Sequence, residues 1–254
     1  MGAAPWARHD FQNTFVASTR SHHALQRAGY SHGTGAVGAE GGVTPELIFD
    51  VGAFRGDFAA SALSVWPSAK VACFEPLQHG RAQIEELRKR LPNIDLHGTL
   101  VGAVEKAKVE MHVANTSTSL LRDAHNSEFP VEVFPQTTLD AVIKAFYAGR
   151  APDFLKLDVQ GYELEVLKGC EASLDRVRVI LTEVSLLDLH ENVPLLHELT
   201  GWLGERGFVA YDICGMTRRP LDNALWQVDM IFVRKDDALR RDKGYFPGKS
   251  WFRP

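Results

Sequence analysis

Two groups of side chains in this 254-residue chain have the types and spacing to do chemistry. The first is Asp50-Val51-Gly52-Ala53-Phe54-Arg55-Gly56, a D-x-G-x-x-x-G run at the end of the apolar stretch Leu47 to Val51. Its glycines permit a tight turn and a close approach of backbone to a ligand, and a helix that follows presents free N–H groups. A carboxylate ahead of the turn repels a pyrophosphate, but it can accept a hydrogen bond from an ammonium or a bridging water. That suits the amino acid end of S-adenosylmethionine. Glu75 closes the next apolar stretch, 23 positions after Gly52, where an acid that grips ribose hydroxyls is expected. The structural alternative is that Gly52 and Gly56 only shape a turn while Glu75 caps the next helix.

The second group is Phe154-Leu155-Lys156-Leu157-Asp158-Val159-Gln160-Gly161-Tyr162-Glu163. Strand alternation puts Lys156 and Asp158 on one side, Leu155 and Leu157 on the other. A lysine in a covered strand is costly unless paired, so a carboxylate must face it. Asp158 and Glu183 are the expected partners, Glu183 ending the later stretch Val179-Ile180-Leu181-Thr182-Glu183. On adjacent strands, about 4.8 Å apart, the two acids could hold one cation or one substrate hydroxyl. A buried structural ion network with Lys156 is the alternative.

Positioning these residues requires a particular framework. Strand-like segments at 47–51, 70–75, 94–101, 108–113, 154–158 and 177–184 alternate with helical ones at 57–66, 77–91, a helix led by Thr138-Leu139-Asp140, 163–169 and 194–206. Such alternation predicts an α/β fold, a doubly wound, mostly parallel sheet covered on both faces. The last two strands, 208–213 and 228–233, lack a helix between them and should pair as a hairpin, with one antiparallel strand at the edge. Ligands in these sheets bind beyond the carboxyl ends of the strands. Both groups end there.

Composition narrows the remaining classes. With 28 basic and 32 acidic side chains the formal charge is −4, too little basic surplus to wrap a nucleic acid. No window approaches the ~18 consecutive apolar residues of a membrane span, and Met1 to Asp10 lack the order of a secretory signal. The three cysteines, Cys73, Cys170 and Cys214, show neither disulfide-framework nor zinc spacing. A cytoplasmic protein is expected. Residues 1–45 read as a helix over 11–28 and a glycine-rich loop that could cover a cofactor or exchange between protomers of a homo-oligomer. Residues 46–236 form the main domain. Residues 237–254 form a basic and aromatic tail suited to sugars or a partner subunit, or simply frayed. Ala114 to Gln136 reads as a polar loop over the acceptor side, with His125 on it and His190 after Glu183 as further candidate bases.

The runs DVGAFRG, CFEP, TTLDAVI, FLKLDVQGYELEVLKG, ILTEVS, GFVAYDI and WQVDMIFVRKD together resemble the FkbM-type family of S-adenosylmethionine-dependent methyltransferases over roughly residues 46–236. The L-K-x-D-x-Q-G-x-E segment is the specific part. The resemblance implies a class I methyltransferase fold, a seven-stranded Rossmann-like sheet, and O-methylation as the commonest activity. It would place Asp50, Gly52, Ala53 and Gly56 around the methionine end of the cofactor, Glu75 on the ribose, Val101 near the adenine and Asp158 toward the transferable methyl. Where the family usually carries asparagine, this chain has Phe54.

Methyl transfer is an in-line displacement that needs aligned reactants and excluded water. An alcohol acceptor also needs a general base or a cation. Asp158 and Glu183, with Lys156 beside them, offer a base or a magnesium site. The expected acceptor is a small-molecule hydroxyl, a sugar or glycosylated metabolite. A nicotinamide-dependent oxidoreductase and a non-catalytic nucleoside-binding module are the competing classes. The D-x-G-x-x-x-G turn in place of G-x-G-x-x-G argues against the first of these.

Overall fold

The computed structural model describes residues 42–113, 121 and 130–243. The main sheet has seven strands: β1 (Leu47–Val51), β2 (Lys70–Phe74), β3 (Ile94–His97), β7 (Phe154–Leu157), β8 (Val179–Ser185), β9 (Phe208–Arg218) and β10 (Leu225–Arg234). Their spatial order is β3-β2-β1-β7-β8-β10-β9. Three further strands, β4 (Leu100–Val101), β5 (Lys106–His112) and β6 (Val131–Thr137), form a separate small sheet in the order β4-β6-β5. The expected α/β class holds.

Each central strand is a short apolar run buried on both faces, the pattern of a covered parallel sheet. Residue alternation then sorts the core into two layers. Phe49, Val51, Leu155, Leu157, Ile180 and Val184 pack under α3 (Leu139–Phe146), α4 (Glu163–Lys168) and α5 (Leu196–Glu205). Ile48, Val71, Cys73, Phe154 and Val179 pack under α1 (Asp57–Val65) and α2 (Gln78–Arg88). Burying each large side chain contributes about 1.5–3 kcal/mol, so these two layers supply most of the driving force. Thr138 caps α3 by accepting from the Ala141 N–H at 3.1 Å, which fixes where that helix starts.

The structure differs from expectation at three places. Ile94 to Val101 is not one strand: the chain leaves the main sheet after His97, and Leu100–Val101 pairs instead with Gln136–Thr137. Ala114 to Gln136 is not wholly loop, since Val131–Thr137 is β6, antiparallel to β5. Its Val-Glu-Val-Phe alternation carried the strand signal, and Pro135 obscured it, being tolerated here because it falls at the register shift between Lys106 and Val109 in the β5–β6 pair. The closing hairpin forms, but its antiparallel member β10 lies inside, between β8 and β9, and β9 is the edge. The expected helix over 11–28, His125 and the tail beyond residue 243 lie outside the described residues. The start of the tail is docked: Arg178 donates to Asp237 at 2.6 and 3.1 Å, and Asp237 caps the short turn Ala238–Arg240. No helix among the described residues is long and apolar enough to cross a membrane.

Helix α5 contains Gly201, exposed, with nothing within 4 Å of where a β-carbon would stand. Gly201→Ala should therefore raise stability by roughly 0.5–1 kcal/mol, read as a higher urea midpoint at unchanged slope. A lower midpoint would mean that face of α5 is not open as described.

Candidate functional site

The two sequence groups meet because β1 and β7 are parallel neighbours in a register that sets Asp50 directly beside Lys156. Lys156 Nζ lies 2.9 Å from Asp50 Oδ1 and donates to the Gly52 carbonyl at 2.9 Å. Asp158 Oδ2 is farther, at 3.7 Å. Among the described residues no ion pair joins Lys156 to Glu183. The lysine's main partner is thus Asp50, where sequence reasoning expected Asp158 and Glu183. The reason is tertiary: which strand lies beside β7 is not written in β7.

Asp50 is wholly buried, and the Lys156 ammonium, 2.9 Å from its Oδ1, answers it by charge and by hydrogen bonding. Burial pushes the Asp50 carboxyl above its usual range and the ammonium pulls it back. Burial also works against the Lys156 charge, but the Asp50 and Asp158 carboxylates outweigh it and hold the ammonium above an ordinary lysine. Asp50 therefore does meet an ammonium, but the one it meets belongs to the protein.

The glycine turn is pinned from several directions. Gly52 has φ +76°, and a β-carbon there would stand 1.9 Å from the Asp158 carbonyl oxygen. The Gly52 and Ala53 N–H groups both donate to the Phe74 carbonyl, each at 3.1 Å. Gly56, at φ +84°, would drive a β-carbon into Leu87 at 2.9 Å. Both glycines thus make room for other protein groups, and the surface left for a ligand is the start of α1. That helix begins at Gly56 with no side-chain cap, leaving its first N–H groups available to an anion. Phe54 sits at φ +49°, a conformation that asparagine tolerates far better than an aromatic residue. Its ring instead packs edge-on to His79 and under the Arg55 guanidinium.

Glu75 lies at the tip of β2, 5% exposed. Its Oε2 accepts from the Phe54 N–H at 2.9 Å and its Oε1 from the Leu77 N–H at 2.8 Å. The acid therefore braces the glycine turn and caps the approach to α2 at once. Each oxygen keeps a second lone pair for a ligand hydroxyl. Burial raises its carboxyl to about 7, against the pull of those two N–H groups. Val101 is buried in the wall that follows, and Leu77 packs on Leu100 beside it.

On the acceptor side, Asp158 is exposed at the end of β7. Gln160 Nε2 donates to Asp158 Oδ1 at 3.0 Å and to Glu183 Oε2 at 3.4 Å. Buried Gln227 on β10 donates to the same Glu183 oxygen at 2.8 Å. Asp229 stands opposite Glu183 across the β8–β10 pair. Burial, then the neighbouring Asp158, Glu163 and Asp229 carboxylates, raise Glu183 well above the usual range. Glu163 accepts from the Val159 and Gly161 N–H groups at 3.0 and 3.2 Å, tying the 158–161 turn to the start of α4.

Asp158 and Glu183 are brought together as expected, but as a pair clamped by amides. The magnesium site does not fit this arrangement: the group between the two carboxylates is an N–H donor, which a cation would displace. Among the described residues no group of three or more His, Cys, Asp or Glu side chains is placed to hold a metal ion. Gln160 and Glu163 stood in the family-specific segment without a role assigned to them, and Gln227 and Asp229 were not singled out from sequence, because which residues face Glu183 depends on β10 lying beside β8.

A sheet of this order, with its switch point between β1 and β7 and a lone antiparallel strand next to one edge, defines a class I methyltransferase fold. The model of the methyltransferase FkbM domain matches residues 50–210, and the chain belongs to that family. A solved structure of methyltransferase FkbM from Methylobacillus flagellatus KT shares the fold at 18% identity and a TM-score of 0.50, covering 74% of this chain. This chain spans 43% of that protein's length. Two weaker likenesses are magnesium protoporphyrin IX methyltransferase from Synechocystis PCC 6803 with bound SAM (11% identity, 92% and 86% of the two chains, TM-score 0.47) and an O-methyltransferase family protein from Burkholderia thailandensis (14%, 90% and 59%, 0.44). No protein of curated function matches significantly.

The raised carboxyls fix a sign for the pH dependence of stability. Glu75 keeps its proton to about 7 when folded, while the unfolded chain releases it near 4.5. Between those values the native state binds more protons, so stability falls as pH rises. Glu163 and Glu183, also raised, act in the same direction. The melting temperature without ligand should drop steadily from pH 5 to pH 7.5, and Glu75→Gln should flatten part of that slope. A melting temperature that climbs over this interval would contradict the burial described for these acids.

Proposed function

We propose that the site binds S-adenosylmethionine and transfers its methyl group to a hydroxyl of a small molecule, a sugar or glycosylated metabolite. The observation that carries this reading is the pairing of an uncapped α1 N-terminus with Glu75 one strand over, inside a chain of the FkbM family. The α1 N–H groups suit the methionine carboxylate. Glu75 suits the ribose hydroxyls, and Leu77 with Val101 suits the adenine. Gly52, Ala53 and Gly56 shape the loop between them. Asp50 acts from beneath, through Lys156, without touching the ligand.

The bound cofactor supplies a methyl group on a sulfonium, already activated for displacement. What the protein must add is an acceptor oxygen in line and a place for its proton. Asp158 is the exposed carboxylate at that end of the sheet, and we assign it the proton of the acceptor hydroxyl. Glu183, whose carboxyl burial and its acidic neighbours push well above the usual range, can donate to a second acceptor oxygen when protonated and orient it. Lys156 keeps Asp158 and the Gly52 carbonyl fixed relative to each other. Acids gathered at this mouth favour polyhydroxyl acceptors over phosphorylated ones, which supports the carbohydrate class. The oxidoreductase alternative is disfavoured by the carboxylate that opens the glycine turn and by the inserted β10.

Calorimetry should show binding of S-adenosylhomocysteine but not NADH, with affinity rising as pH passes 7 and Glu75 ionises. Glu75→Gln should weaken binding roughly 10-fold or more and remove that rise. Cell extract incubated with enzyme and isotope-labelled methyl donor should yield a labelled carbohydrate by mass spectrometry. Asp158→Asn should cut that transfer by roughly 100-fold or more at unchanged donor affinity. Chelator should leave it unaltered. Binding of NADH in place of the homocysteine nucleoside would overturn the reading.

A further inference from the structure

The 158–161 turn carries a feature that cofactor binding does not require. Gln160 is a non-glycine residue at φ +54°, directly before Gly161 at φ +96°. A side chain is strained in that region. Glycine would adopt it freely, yet glutamine stands there. The conformation sends its amide between the two acceptor-side carboxylates, 3.0 Å from Asp158 and 3.4 Å from Glu183. Glu183 is held from the far side by Gln227 at 2.8 Å, while Glu163 fixes the turn's backbone through Val159 and Gly161. Among the described residues the Gln160 amide joins the Asp158 and Glu183 side chains directly.

We propose that Gln160 is a positioning residue for methyl transfer: its side-chain amide clamps Asp158 to Glu183 and so aims the Asp158 carboxylate at the acceptor hydroxyl, at the cost of a strained backbone. This rests on the transfer chemistry proposed above. The clamp explains how two carboxyl groups can share one mouth, because the N–H groups between them satisfy oxygens that would otherwise repel each other. It also explains the left-handed turn, since an extended or helical residue 160 would carry its side chain away from the β7–β8 gap. Strain kept at a site in this way is typical of geometry retained for function.

The backbone strain provides a test in which folding and function move in opposite directions. Gln160→Gly removes the clamp and relieves the strained φ together. Its melting temperature should equal or exceed that of the wild type, and its affinity for S-adenosylhomocysteine should stay within about twofold. Label transfer from isotope-labelled methyl donor to cell extract, at saturating donor, should fall roughly 10–100-fold, the usual effect of losing a second-layer hydrogen bond to a reacting group. Gln160→Asn, which tolerates the left-handed backbone but is one methylene too short to span both acids, should show the same split. It decides the matter if the glycine variant is poorly folded. Unchanged transfer in these variants, or transfer lost only in step with melting temperature and nucleoside affinity, would overturn the assignment. Wild-type protein that neither binds the nucleoside nor transfers label would instead overturn the proposed function.

Discussion

A buried ion pair organises this molecule. Asp50 and Lys156 face each other across the two innermost parallel strands, and neither could stay charged in that position alone. Their attraction has a geometric consequence, because the same ammonium also holds the Gly52 carbonyl. The turn that follows β1 is thereby fixed to β7, and Gly52 is pressed so closely on Asp158 that no larger residue fits. One lysine thus sets the distance between the loop that would receive the cofactor and the acid that would receive the proton. A hydrophobic pair at these positions could hold the sheet together equally well. It would not hold the loop.

The surrounding acids are arranged by how far each is removed from water. Asp158 is exposed, Glu183 is half-buried among other carboxylates, and Glu75 is buried but bonded by two N–H groups. The environments therefore separate groups of the same chemical type into different tasks. Pushing neighbouring titratable groups apart in this way is how one site comes to hold both a proton acceptor and a proton donor near neutral pH. Amides from Gln160 and Gln227 supply the N–H groups that the neighbouring Asp158 and Glu183 oxygens accept.

Much of this was legible from sequence wherever a signal is local. Apolar runs ending in Gly52, Glu75 and Asp158 gave strands with polar tips, and alternation put Lys156 and Asp158 on one face. What depended on which strands become neighbours was not legible. Lys156 was expected to answer Asp158 and Glu183; Asp158 does stand near it, but its closer partner, Asp50, lies across the β1–β7 pair. The small sheet was hidden because Pro135 reads as a strand breaker and because Leu100–Val101 gives too short a run to separate from β3. The clamp was hidden because glutamine carries no charge that must be explained, and its importance appears only with the backbone angle and the two distances.

The central claim is that Asp50 acts on the cofactor loop only through Lys156. A double-mutant cycle read by calorimetric affinity for S-adenosylhomocysteine tests it most directly, using Asp50→Asn, Lys156→Met and the combined variant. The account predicts strong coupling: each single change weakens binding, and the combined change is no worse than the more damaging single one. Independent losses that simply add, or tight binding in all three variants, would contradict it.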